Sequence, residues 1–313
     1  MGSVIETENL GRVYKTYSKK EGILNSLKGF YDRKYIEKVA LKDATLKIEA
    51  GKIVGLVGSN GAGKTTLLKI LSGLIYPTSG TATVLGYKPW DRDNEFLKQV
   101  SILLGQKNQL WWDITPRDSY SLLTKIYDLD TNVARARVNE LAHLLNCTQV
   151  LDTQLRRLSL GERMKMEIIG SLLHAPKVLF LDEPTIGLDI VAQSAIRDFL
   201  ERYVKEYQPA IILTSHYMDD IAQLADQLLL ISKGQIVYDG TVEHFMTTSD
   251  LKKKLIYRLK NSTEEKEKLF NSQELPMVLA EMAGAGEVAD IKVEEVDFED
   301  VIRSFLAKES STR

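Results

Sequence analysis

The chain has one cysteine, Cys147, among 313 residues, so no disulfide can form within it and a reducing compartment suits it. It has almost no net charge: 41 basic residues stand against 43 acidic ones, giving −2 and no global attraction to nucleic acid. It also lacks any apolar run near the roughly 18 residues that a membrane-spanning helix needs. Its longest runs, such as Val178–Leu181 and Leu228–Ile231, have strand length, so a role at a membrane requires a partner that does the spanning. The opening MGSVIETENL has no apolar core, and no secretory signal is expected there. No internal repeat or low-complexity tract is present. What remains, 44% hydrophobic and 27% charged, is ordinary globular composition, with length for one large domain and a smaller one.

Short β-branched runs alternate with helical patterns, which predicts an α/β fold with parallel strands. The expected strands are Ile53–Val57, Val100–Leu104, Val178–Leu181, Ile211–Thr214 and Gln227–Ser232. Between Asp118 and Ser171 the apolar spacing is helical, with Leu122, Leu123 and Ile126, then Leu141, Leu144 and Leu145. This predicts a helical subdomain at about 88–171 inserted in the α/β core. The glycine-loop chemistry ends near residue 240, and 241–313, richer in Glu and Lys, reads as a small α+β appendage. There Lys254–Lys260 and Val288–Val296 are expected as strands, Thr263–Met282 and Phe298–Leu306 as helices. Residues 18–38 form an insertion near the N-terminus. Within it Gly22–Lys38 places Ile23, Leu24, Leu27, Phe30 and Tyr31 on one helical face, with Lys28, Arg33, Lys34 and Lys38 nearby. A packed surface helix is the simpler account; a helix against a membrane or partner is the alternative.

Three stretches carry chemistry. GSNGAGKTT, from Gly58 through Ser59, Asn60, Gly61, Ala62, Gly63, Lys64 and Thr65 to Thr66, follows a strand and precedes a helix. Glycines there let backbone N–H groups converge on phosphate oxygens at a helix N-terminus. Lys64 can reach β- and γ-phosphates, and the Thr65 hydroxyl can ligate Mg²⁺. The strand VLFLDEP ends in Asp182, suited to supporting Mg²⁺, and Glu183, suited to deprotonating an attacking water. LSLGE puts Ser159 and Gly161 at a helix start, where an anion is favoured. His216 ends a further strand and can donate a hydrogen bond to a γ-phosphate.

In this order, GSNGAGKTT, Gln106, LSLGE, VLFLDEPTIGLD and the TSH ending at His216 resemble the ATP-binding subunits of ABC transporters, over about residues 4–240. YPTSG at 76–80, DEPTIGLD and the appendage are most similar to ATPases of ABC-2 type exporters, and GQKNQLWWD with the insertion resembles sodium- and daunorubicin-efflux subunits. The resemblance implies a P-loop NTPase fold of ABC type at 1–240, with an accessory domain at 241–313. It implies ATP hydrolysis with Mg²⁺ and places the protein at the cytoplasmic face of the cell membrane, on transmembrane permease subunits. It further implies that Tyr17 stacks on adenine, with Tyr35 a rival, that Gln106 senses Mg²⁺ and water, and that Asp189 contacts an opposite subunit. In the family LSLGE closes over ATP on the phosphate loop of a second chain, in a head-to-tail dimer, and no nucleic acid is involved. Here Leu160 and Glu162 replace Gly and Gln of the commoner LSGGQ. An importer ATPase, and a soluble ABC ATPase acting on ribosomes or nucleic acid, are the alternatives.

Trp111 and Trp112 lie side by side among Lys107, Asn108, Gln109 and Asp113. Consecutive side chains diverge on a helix or strand, so both are not expected in the core. A solvated loop whose aromatic pair marks an interface is expected instead, and the resemblance implies that the partner gripped there is a permease subunit.

Overall fold

The computed structural model describes residues 2–17, 35–105, 108–248, 252–259, 265–271, 274–284, 288–295 and 298–311. Two compact units divide it, Met1–Asp239 and Gly240–Arg313.

In the first unit, β1 (Ser3–Tyr17) and β2 (Tyr35–Glu49) form a long antiparallel hairpin. The strand β3 (Ile53–Val57) leads through the phosphate loop into α1 (Lys64–Leu71), followed by β4 (Ser79–Val84), which pairs with β1. A short α2 (Asn94–Leu97) precedes β5 (Val100–Leu104). The helical region holds α3 (Pro116–Ile126), α4 (Thr131–Leu144) and α5 (Leu160–Leu172). The chain then returns through β6 (Val178–Asp182), α6 (Ile190–Tyr207), β7 (Ala210–Thr214), α7 (Met218–Leu224), β8 (Gln227–Ser232) and β9 (Gln235–Gly240). A six-stranded sheet of order β5-β6-β7-β3-β8-β9 forms the core. Its β3 and β7 are buried at every residue, the pattern of parallel strands covered on both faces. The C-terminal ends of β3, β6 and β7 therefore open on one edge, where ligands of open α/β sheets bind.

The second unit comprises α8 (Val242–Thr248), β10 (Lys252–Leu259), β11 (Glu265–Asn271), α9 (Leu275–Gly284), β12 (Val288–Glu295) and α10 (Phe298–Ser311), with sheet order β11-β10-β12. Two expectations fail. The helix expected over Thr263–Met282 is instead strand β11 followed by α9. Its Glu- and Lys-rich start favours helix locally, but Phe270 buries with Leu255 and Val278, and Lys254 Nζ lies 2.7 Å from Glu267 Oε1 across the strands. The helix expected over Gly22–Lys38 is also corrected at its end: Tyr35–Lys38 belongs to β2, zipped to Lys15 and its neighbours by the hairpin register. The part up to Lys34 lies outside the described residues.

Candidate functional site

The phosphate loop leaves the buried end of β3 and turns at Gly63, whose φ is +117°. Only glycine adopts that conformation freely, and a Cβ there would stand 2.4 Å from the Ala40 carbonyl of β2. Gly63 is the N-cap of α1 and offers no side chain to its amides, which leaves them for an anion. Lys64 Nζ donates to the Gly58 carbonyl at 2.7 Å. Burial pushes its ammonium below the usual lysine range, against the pull of the Glu183 and Asp182 carboxylates. The charge is thus held inside a cleft of about 380 Å³ lined by Asn60, Gly61, Gly63 to Thr66 and Glu183.

Two further walls of that cleft escaped sequence reasoning: Tyr14 and Lys38, cross-strand partners on β1 and β2. Arg12 lies over the Tyr14 ring at 4.7 Å. Lys38, expected among the basic residues of a helix, instead brings a cation to the cleft's edge. Tyr17 and Tyr35 pair in register at the hairpin's end, but their side chains lie outside the described residues. Tyr14 is therefore the tyrosine that the described geometry brings to this cleft. The only signal for it in the sequence was strand alternation.

Asp182 is fixed from both sides. Its Oδ2 accepts from the Thr65 hydroxyl and its Oδ1 from the Thr214 hydroxyl, each at 2.8 Å. Thr65 and Asp182 thus offer adjacent hard oxygens of the kind Mg²⁺ prefers. Among the described residues no group of three or more His, Cys, Asp or Glu side chains could cage a metal. A cation held by this pair would draw its other ligands from phosphate and water, the usual Mg²⁺ arrangement at nucleotides.

Glu183 has φ +59°, an uncommon state for a residue with a side chain and one concentrated at functional sites. Its amide donates to the Thr214 carbonyl and hydroxyl at 3.1 and 3.0 Å, holding the turn. The carboxylate lies 2.9 Å from His216 Nε2, at the mouth of β7. A base and a hydrogen-bonding imidazole so placed beside Lys64 and Thr65 can orient and deprotonate water at a γ-phosphate. Gly105 comes close behind: its amide donates to the Asp182 carbonyl at 2.8 Å, and a Cβ would stand 2.4 Å from the Glu183 carbonyl. Gln106, one residue on, lies outside the described residues.

Beneath this array is a buried centre that the sequence did not reveal. Asp220 on α7 is 1% exposed. It accepts from the Thr185 hydroxyl at 2.6 Å, the Ser215 hydroxyl at 2.9 Å and Arg197 Nη1 at 2.7 Å. It thereby ties the segment after Glu183 to the segment carrying His216.

Ser159 is the N-cap of α5 in a capping box with Glu162. Glu162 Oε2 accepts from the Ser159 amide and hydroxyl at 2.9 and 2.8 Å. Those bonds, the amide's first, hold its carboxyl below the usual range. Ser159 and Gly161 are not among the residues lining the phosphate cleft of their own chain. Asp189 caps α6 by accepting from the Ala192 amide at 2.8 Å, and Ile190 and Val191 beside it are each 79% exposed. Trp111 and Trp112 lie in a loop, 43% and 42% exposed.

The family model described as ABC transporter matches residues 41–186. The ABC transporter ATP-binding protein NatA of Bacillus subtilis is 32% identical over 214 residues, covering 68% of this chain and 86% of its own. The energy-coupling factor transporter ATP-binding protein EcfA of Methanoculleus marisnigri is 33% identical, with 68% and 77% covered. The daunorubicin resistance ATP-binding protein DrrA3 of Streptomyces coeruleorubidus is 32% identical, with 68% and 66% covered. Among solved structures, CbiO1 of Clostridium perfringens, part of an ABC transporter complex, superposes with a TM-score of 0.64 at 25% identity, over 79% of this chain and 92% of that one. A dimeric ATP-binding cassette in a post-hydrolysis state with ADP and Pi gives 0.62 at 21% identity, over 76% and 98%, and shares the fold. With its P-loop NTPase fold and the Lys64, Asp182 and Glu183 array on one sheet edge, the chain belongs to the ABC transporter family, as one of its ATP-hydrolysing ATP-binding proteins.

Proposed function

We propose that the chain is the motor subunit of an ABC-2 type membrane exporter, working at the cytoplasmic face of the membrane as a head-to-tail pair beneath transmembrane permease subunits. The observation that carries the pairing is the apolar surface left exposed beside the Ser159 and Asp189 caps: Leu160 is 45% exposed, and Ile190 and Val191 are each 79% exposed. An anion cap of this kind is completed by a nucleotide held on a second copy. ATP with Mg²⁺ then lies between Lys64, Thr65 and Asp182 of one chain and Ser159 and Gly161 of the other, with Asp189 at the seam. Likeness to DrrA3, a drug-resistance protein, supports export; likeness to EcfA keeps import as the second reading.

Ser159→Cys combined with Asn60→Cys is expected to crosslink between chains in an ATP-dependent manner. Asn60 is exposed, whereas Gly58 has no room for a side chain. The native Cys147 is buried with its thiol pushed up to about 11, so it stays silent. No crosslink with ATP present would remove the composite site. Direction is read separately, by the sense of ATP-driven transport in sealed vesicles carrying the complex purified from native membranes. Recovery with ribosomes and no membrane protein would overturn the transporter reading.

Trp111 and Trp112 are the proposed grip on the permease. Trp111→Ala with Trp112→Ala is expected to leave ATP binding unchanged and to weaken assembly about tenfold to hundredfold, the range of an interface hot spot. A large loss of thermal stability in the isolated chain would instead mark the pair as core.

A further inference from the structure

Arg163, Glu167 and Gly170 share one stripe of α5, and all three meet the tryptophan loop. The Arg163 guanidinium lies over the Trp112 ring, 4.5 Å from its centroid. Glu167, 3% exposed, accepts the Gln109 amide at 3.0 and 3.2 Å and the Leu110 amide at 3.3 Å. Leu110 is buried so close to α5 that a Cβ on Gly170 would stand 3.1 Å from its Cδ2. Burying a carboxylate is costly, and an apolar residue would fill this space without that penalty. Burial pushes the Glu167 carboxyl above the usual carboxylate range, and the two amides pull it back. The carboxylate thus fastens loop backbone to a helix whose first turn is the Ser159 cap. Eight residues of rigid helix, about 12 Å, separate the two points.

We propose that Glu167 is a positioning residue that couples the Trp111–Trp112 loop to the Ser159–Gly161 end of α5. Displacement of the loop moves the anion cap, and engagement of the cap by ATP moves the loop. The proposal rests on the composite ATP site above.

The test uses the full chain. With Trp90→Phe, the remaining tryptophans are the two in the loop. ATP is added in the presence of Mg²⁺, and tryptophan emission and the Ser159→Cys/Asn60→Cys crosslink are read in parallel. The parent is expected to crosslink and to change emission. Glu167→Ala is expected to crosslink while losing most of the ATP-dependent emission change, since the loop is no longer fastened to α5. Glu167→Gln, which keeps one acceptor oxygen in the same place, is expected to restore most of it; Glu167→Met, which fills the space with no acceptor for the two amides, is expected to lose it and carries the test if Glu167→Ala fails to fold. An unchanged emission response in Glu167→Ala overturns the coupling. A parent that crosslinks with no emission response overturns it as well. A parent that does not crosslink overturns the composite site and the coupling together.

Discussion

Glu183→Gln is expected to lower ATP turnover by about 10²- to 10⁴-fold while ATP still binds. The carboxylate lines the cleft and lies 2.9 Å from His216 Nε2. Glutamine keeps its length and its backbone demands, including φ +59°, but cannot accept a proton. Lys64 and the glycine turn remain, so affinity is retained and the nucleotide is trapped unhydrolysed. Single-turnover hydrolysis and ATP retention by gel filtration read the two quantities separately. Near-normal turnover would place the base elsewhere.

Asp220→Ala is expected to cost about 3–5 kcal/mol of stability, the penalty for breaking a buried ion pair from one side. It strands Arg197, whose side chain is only 16% exposed, and removes the acceptor of two hydroxyls. Asp220→Asn keeps an acceptor oxygen and should lose less. Combining Asp220→Ala with Arg197→Ala should cost well under the sum of the two, because the partners share one interaction. Urea unfolding followed by a probe in the first unit measures each variant. Additive losses, or a loss under about 1 kcal/mol for Asp220→Ala, would show that the pair does not act as a unit.

These two sites differ in how far the sequence exposed them. Glu183 closes an apolar strand beside Asp182, and the run itself points to a covered parallel strand with a ligand at its end. The strands Val100–Leu104 and Gln227–Ser232 were legible at both boundaries for the same reason. Asp220 is one of two adjacent acids in the first turn of α7, and its partners Thr185, Ser215 and Arg197 converge on it only in space. Tyr14 and Lys38 were hidden differently, since a hairpin register across an insertion decides that they face each other over the phosphate loop. Glu167 is a charged residue on a helix, and its sequence neighbours do not show that its face is covered. The helix expected over Thr263–Met282 gives way to β11 because the packing of Phe270 against Leu255 and Val278 overrides the helix propensity of the Glu- and Lys-rich segment.

The Glu162 carboxylate already occupies the Ser159 hydroxyl and amide. In the proposed head-to-tail pair, an incoming triphosphate from the second chain would therefore evict a resident anion and would not settle on bare donors. Closure becomes an exchange, and its driving force is the difference between two similar sets of charge-assisted hydrogen bonds. When the phosphate departs, Glu162 returns to the same donors and offsets part of the cost of separation. Resetting the proposed motor would thus draw on a contact internal to one chain, the Ser159–Glu162 capping box.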